Sequence, residues 1–242
     1  MKKTRILWSG LTGRVGVAAI EAAALRSDVE IVAGICRRNK RPNEAVLCRL
    51  YTYEELTVLS AVNVGGIQED FDVIVDFSHG DNSWFVAELA TKVRKPLVSG
   101  TAGLTNRNMA TLYDLAQIVP VFRGGNFWFE VKHFIDDVVE YARKCDEHEL
   151  LLVETFYEGK ELPSETSKVI QQKVYQATGK LVQVDSRCQY EASSLVCDWC
   201  LADLHCRMSG FRDLADNVLS IARRMQRLRA TGRLYVLNDL IS

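Results

Sequence analysis

Gly10, Gly13 and Gly16 fall in the segment G-L-T-G-R-V-G, between a short apolar run at 4–9 (TRILWS) and an Ala-rich stretch at 13–27. Glycines at the first, fourth and seventh positions of a strand–turn–helix permit a tight turn and close helix–strand packing. They also aim the backbone N–H groups of a helix N-terminus at an anion. The order is GxxGxxG rather than the commoner GxGxxG, but with a strand before it and a helix after it the segment reads as a nucleotide-phosphate site. Past the next strand (29–35, VEIVAGI) stands Cys36-Arg37-Arg38-Asn39-Lys40-Arg41. Sites that prefer NAD often carry an acidic side chain there for the ribose 2′-hydroxyl. Arg37 and Arg38 instead suit the 2′-phosphate of NADP, so NADPH is the expected cofactor, with NADH the alternative. The plainer reading of that run is an exposed basic loop. A further group is Cys197, Cys200, His205 and Cys206, a set of soft ligands with the makings of a zinc site. The surrounding LVCDWCLADLHCRM reads as strand, and a period of two puts Cys197 and Cys200 on opposite faces. The expectation there is buried strand cysteines and no metal.

The elements that must position these residues follow from hydrophobic pattern. After the strand at 29–35 come strands at 72–77 (DVIVDF), 96–100 (PLVSG) and 119–122 (VPVF), with helical patterns near 82–93 and 105–117. Alternating strands and helices imply parallel βαβ units. The alternation stops near 125. Residues 127–144 then read as one amphipathic helix, 149–156 (ELLLVETF) as a buried strand, a helix begins after Pro163, and 180–208 is mostly strand. A last helix at about 212–231 carries Leu214, Val218, Ile221, Met225 and Leu228 on one stripe, with Arg223, Arg224, Arg227 and Arg229 as its solvated face. The expected fold class is α/β: a Rossmann-like dinucleotide-binding domain (1–125 with about 212–242) and a smaller α+β domain (126–211) for substrate and oligomerisation.

Composition limits the alternatives. The 242 residues are 48% hydrophobic and 25% charged, ordinary globular values that exclude a disordered or low-complexity scaffold. Lys and Arg number 30 against 31 Asp and Glu, a net charge of −1, so phosphate neutralisation of a nucleic acid is not expected. No apolar run reaches the roughly 18 residues of a membrane span. The opening MKKTRILWSGLTGR has the lysines of a signal peptide but only ILW as an apolar core. Seven cysteines, an odd number, form no disulfide framework and fit a reducing compartment. A soluble cytoplasmic protein is expected. In 180–208, Leu195, Val196, Trp199, Leu201 and Leu204 suggest an open sheet whose apolar face a second copy would cover.

Taken together, GLTGRVG (10–16), VDFSHG (75–80), GTAG (100–103) and GGNF (124–127) resemble, in order and spacing, the motifs of the dihydrodipicolinate reductase family. ETFYEGKELPSET (154–166) resembles its E-x-H-H-x-x-K-x-D-A-P-S-G-T signature, and GRLYVLNDLI (232–241) its usual ending. The resemblance implies NAD(P)H-dependent reduction of a cyclic dicarboxylate imine of lysine and diaminopimelate synthesis, by a homotetramer. It places the cofactor against Gly10, Thr12, Gly13, Arg14, Val15, Gly16, Arg37, Arg38, Phe77, Gly100, Thr101, Ala102, Gly125, Asn126 and Phe127. It places the dicarboxylate against Ser164 and Thr166, with Lys160 as a catalytic residue; Tyr157, at a position where the family has histidine, is the other catalytic candidate, its plainer reading being an aromatic at a strand end. The family's two histidines correspond to Phe156 and Tyr157, and Glu165 stands in place of a glycine. Two alternatives remain open. One is a cofactor-binding paralogue, impaired in catalysis, that acts as a sensor or assembly subunit. The other is a reductase for a different imine or carbonyl, with Tyr157 as the acid.

Overall fold

The structure, a computed structural model, describes residues 2–36, 49–52, 71–124, 127–158, 162–191 and 195–240. It divides into two units, residues 1–127 with 212–242, and residues 128–211.

The first unit opens with β1 (Thr4–Ser9), α1 (Arg14–Ala24), β2 (Val29–Cys36), β3 (Arg49–Thr52), β4 (Val73–Asp76), α2 (Gly80–Val93), β5 (Leu97–Ser99), α3 (Asn106–Ala116) and β6 (Val121–Arg123). The strands form one parallel sheet in the order β3-β2-β1-β4-β5-β6. The winding direction reverses between β1 and β4, and that reversal opens a crevice at the carboxyl ends of these strands. Ile6, Leu7, Trp8, Val73, Ile74, Val75, Val98 and Phe122 are wholly buried. Strands buried on both faces read as continuous apolar runs, which is why the sequence shows them clearly.

The last helix, α6 (Phe211–Met225), lies in this unit from Arg212 onward. It buries Ala215, Val218, Leu219, Ile221, Ala222 and Met225. It stops at Met225, short of the expected 231. The chain tightens there into three-residue turns (Arg227 N to Arg224 O, Leu228 N to Met225 O), and the Tyr235 hydroxyl donates to the Arg229 carbonyl. Its arginines are not all solvated: Arg223 pairs with Asp28 at 3.2 Å, and Arg224 donates to the Leu240 carbonyl. Beyond it, Tyr235 bridges Phe122 of β6, receiving the Arg123 N–H at 3.0 Å and giving its own to Val121 at 2.7 Å. A short helix, α7 (Leu237–Leu240), follows.

The second unit contains α4 (Phe129–Lys144), β7 (Leu151–Tyr157), α5 (Glu165–Thr178), β8 (Gln183–Tyr190), β9 (Val196–Leu201) and β10 (Leu204–Ser209). Its sheet has the order β10-β9-β7-β8, parallel only between β7 and β8. The two helices pack on each other, and α4 also contacts β10. Leu152, Glu154, Phe156, Cys197, Trp199, Leu201, Cys206 and Met208 are buried on one sheet face, while Leu151, Val153, Thr155, Tyr157, Asp198, Cys200 and His205 alternate with them and stay partly exposed. The expected apolar docking face is thereby divided. Trp199 (2% exposed) and Leu201 (0%) belong to the unit's own core, because period two sets them opposite Asp198 and Cys200. Among the described residues, no helix is long and apolar enough to cross a membrane.

Candidate cofactor and substrate sites

The glycine turn lies at the carboxyl end of β1. Gly10 has φ +83°, and a Cβ there would sit 2.4 Å from the Phe77 carbonyl oxygen. A Cβ on Gly16 would sit 2.4 Å from the Leu11 carbonyl oxygen. Both positions therefore require glycine. The Gly13 N–H closes the turn on the Gly10 carbonyl at 2.9 Å. Gly13 is also the N-cap of α1 and supplies no side-chain cap. The other ligand-edge helices differ: His79 caps α2, and Thr105 with Asn108 forms a capping box on α3. The helix behind the glycine turn thus presents its positive end without a side-chain cap from its N-cap residue, as an anion site does. Gly13 and Arg14 are exposed there, and Thr12 and Val15 half-buried.

Across the reversal point, the end of β4 carries Asp76 and Phe77. Asp76 is 1% exposed. Its carboxylate accepts from the Ser78 hydroxyl (2.6 Å), the Ser78 N–H (3.2 Å) and the Ser83 hydroxyl (3.1 Å). Burial pushes its carboxyl above the usual range, against the lowering by those hydrogen bonds. Thr101 completes the knot, donating to the Asp76 carbonyl and accepting from Ser78 N–H. Phe77 stacks on Trp8 (5.7 Å between centroids) and packs on Phe127 (5.0 Å), which in turn meets Phe122 (5.3 Å). Gly100 is needed against this cluster, since a Cβ would lie 2.3 Å from the Phe77 ring. Ala102 is exposed beside it in sequence. Arg123, at the end of β6, is a half-buried cation whose pKa is lowered by burial and sustained by the charge of Asp76. Among the described residues, its Nε and the buried Ser99 Oγ have no hydrogen-bond partner. Gly10, Gly16 and Gly100, which admit no Cβ, and these two polar atoms all border the carboxyl edge of one sheet, which fits a dinucleotide. Arg37, Arg38, Gly125 and Asn126 lie outside the described residues.

In the second unit, Ser164 is the N-cap of α5, its hydroxyl accepting from Ser167 N–H at 3.2 Å. Its own N–H donates to Glu154, a carboxylate with no exposed surface that also accepts from Ser167 Oγ and Ser186 Oγ, each at 2.5 Å. Ser164, 3% exposed, is committed to this buried network, and Thr166 in the first turn is half-buried. The exposed Glu165 is met by Lys168 at 2.7 Å. Phe156 and Tyr157 point to opposite faces. Phe156 is 1% exposed, edge-on to Trp199 (5.3 Å), whereas Tyr157 is half-buried on the open face. Lys160 lies outside the described residues.

Sequence reasoning missed Asp76, Arg123 and Glu154. Asp76 is inside VDFS and Glu154 opens the ETFY segment, but nothing in either string shows that its carboxylate is buried and multiply bonded.

The profile described as dihydrodipicolinate reductase, N-terminus, matches residues 4–127. The 4-hydroxy-tetrahydrodipicolinate reductase of Thermomicrobium roseum is 41% identical over 123 residues, 51% of this chain and 46% of that protein. That of Haloarcula marismortui is 29% identical over 170 residues, 69% of this chain and 63% of that protein. The matched region thus spans from about half to under two thirds of these relatives' lengths. A dipicolinate-bound dihydrodipicolinate reductase from Paenisporosarcina sp. TG-14 superposes with a TM-score of 0.70 at 14% identity, over 99% of this chain and 100% of that one, a likeness of fold. With the glycine turn, the buried Asp76 knot and the aromatic cluster all inside the matched half, the chain belongs to the dihydrodipicolinate reductase family.

Proposed function

We propose that the protein is an NADPH-dependent reductase of a cyclic dicarboxylate imine, the reaction of 4-hydroxy-tetrahydrodipicolinate reductase in lysine and diaminopimelate synthesis. The observation that carries this reading is the uncapped α1 behind a turn that admits only glycine, at the reversal point of a 3-2-1-4-5-6 sheet. When bound, the dinucleotide supplies a hydride. Gly10, Thr12, Gly13, Arg14, Val15 and Gly16 bind its pyrophosphate through backbone N–H groups, and Arg37 and Arg38 meet the 2′-phosphate. Phe77, Gly100, Thr101, Ala102, Gly125, Asn126 and Phe127 line the nicotinamide end, where the aromatic cluster excludes water. Lys160 and the first turn of α5 at Thr166 hold substrate carboxylates. Tyr157 stands where the family has the second histidine and holds the proton to be delivered. The working form is a homo-oligomer, a tetramer by family resemblance, built on the open face of the second unit's sheet, in the cytoplasm.

Oxidation of NADPH with the cyclic imine, run beside a fluorescence titration of cofactor, tests the activity. Turnover supports the proposal, and cofactor binding without turnover favours the non-catalytic paralogue. A charge-assisted phosphate contact contributes about 1.5–3 kcal/mol, so NADPH is expected to bind about tenfold or more tighter than NADH. Arg37→Ala with Arg38→Ala should erase that difference.

A further inference from the structure

The four soft residues of the sequence do not converge. Cys197 and Cys206 are buried on the helix-covered face of the second unit's sheet, and the Cys206 thiol is pushed up to about 11 by burial and by the charges of Glu130 and Asp198. A different trio does converge. In the antiparallel ladder of β9 and β10, His205 lies opposite Cys200, and Arg207 opposite Asp198. Directly paired residues share a face, so Asp198, Cys200 and His205 stand together on the open side. Asp198 Oδ1 is 2.6 Å from His205 Nε2 and 3.9 Å from Cys200 Sγ, and the three ligand atoms all lie within 4.8 Å of one another. The other carboxylate oxygen is engaged elsewhere, accepting from the Tyr190 hydroxyl at 3.4 Å and facing the Arg207 guanidinium at 4.0 Å. Arg207 is itself laid over the Tyr190 ring, 5.5 Å from its centroid.

We propose that Asp198, Cys200 and His205 bind a divalent transition-metal ion of the zinc type, with a fourth position open to water or a small ligand. Thiolate, imidazole and carboxylate are the three donor types zinc takes, and one of each is present. Tetrahedral zinc at about 2.0–2.2 Å from N and O and about 2.3 Å from S sets an N···O edge near 3.3 Å and an S···O edge near 3.6 Å. The observed 2.6 and 3.9 Å bracket these edges, so the ion requires Asp198 and His205 to part slightly and Cys200 to close in. His205, with 52% of its side chain exposed, is free to turn, while Asp198, at 15%, is the fixed member. Tyr190 and Arg207 hold Oδ2 and so orient Oδ1, as outer-shell partners do for metal ligands. The nearby guanidinium is compatible with a cation, because two anionic ligands neutralise a divalent ion.

Titration of the intact protein with Co²⁺ alone, followed by absorption, tests this in any oligomeric state. One equivalent should produce a thiolate-to-cobalt charge-transfer band with tetrahedral d–d bands, both removed by added Zn²⁺. Cys200→Ser should abolish the charge-transfer band, and His205→Ala should weaken Co²⁺ binding about tenfold or more. Cys188→Ser, which removes an exposed thiol on β8, should change nothing. Absence of the band at excess Co²⁺, or its survival in Cys200→Ser, would overturn the proposal. Should Cys200→Ser fail to fold, unchanged Co²⁺ binding in His205→Ala would overturn it equally, since that exposed side chain is not part of the core.

Discussion

Gly10 and Gly16 reject a side chain at different points of the same turn. At Gly10 the obstacle is a positive φ together with the Phe77 carbonyl, and at Gly16, in the first turn of the helix, it is the carbonyl of Leu11 in the preceding turn. Gly13 is less constrained, with its nearest obstacle at 3.1 Å. Gly10→Ala and Gly16→Ala should each lower stability by about 1–3 kcal/mol in urea denaturation. Each should also weaken NADPH binding at least tenfold by fluorescence titration, whereas Gly13→Ala should denature close to the parent. Similar losses in all three would count against the geometry. These glycines were legible because a turn between an apolar run and an Ala-rich helix announces itself locally. Asp198 was not: a search for cysteine and histidine passes over the aspartate between Cys197 and Cys200, and only the strand pairing brings His205 to it. Phe156 likewise reads as a lost histidine until its contact with Trp199 is seen. An imidazole placed there would be buried against an aromatic core, so a test of restored chemistry belongs at Tyr157.

Ion pairs tie the last helix to the sheet it returns to. Arg26, just past α1, makes two bonds to Asp28 (2.9 and 3.0 Å) and donates to the Asp216 carboxylate (3.0 Å) and Ser220 hydroxyl (2.9 Å) of α6. Hydrogen bonds from Arg26, opposed by desolvation, hold the Asp28 carboxyl below its usual value. A carboxyl lowered on folding adds stability above its unfolded pKa, about 3.9, and loses it as pH falls through the folded value. Arg26→Met should therefore cost about 1–2 kcal/mol at pH 7, discounted for partial exposure, with the gap to the parent narrowing below about pH 4. Urea denaturation at pH 7 and pH 3 reads this, and a gap independent of pH would refute it. The strands at 4–9, 29–36, 73–76 and 97–99 were evident as apolar runs. In contrast, β3 (RLYT) has no run to show, and α6 was extended too far because its apolar stripe continues to Leu228 after the backbone has left the helix.

At the level of the whole molecule, the open face of the second unit carries Leu151, 45% exposed, beside Val153, Thr155 and Tyr157. Light scattering at micromolar concentration should give an oligomeric mass, and Leu151→Lys should shift it downward. A monomeric mass for the parent would refute the assembly. The bridge between Tyr235 and Phe122 has a consequence in time. A ribosome releases residues 1–127 first, then 128–211, and only then the strip that pairs beside β6. At about 5–20 residues per second, the sheet's β6 edge waits several seconds for that strip, while the second unit is contiguous and needs nothing still to come. The later segment should thus become protease-resistant on stalled ribosomes before the earlier one does. Nascent chains arrested once residue 211 has cleared the exit tunnel, and again once 240 has cleared it by means of an appended linker, probed by pulse proteolysis, should reveal that inverted order, and resistance of 1–127 at the first arrest would refute it.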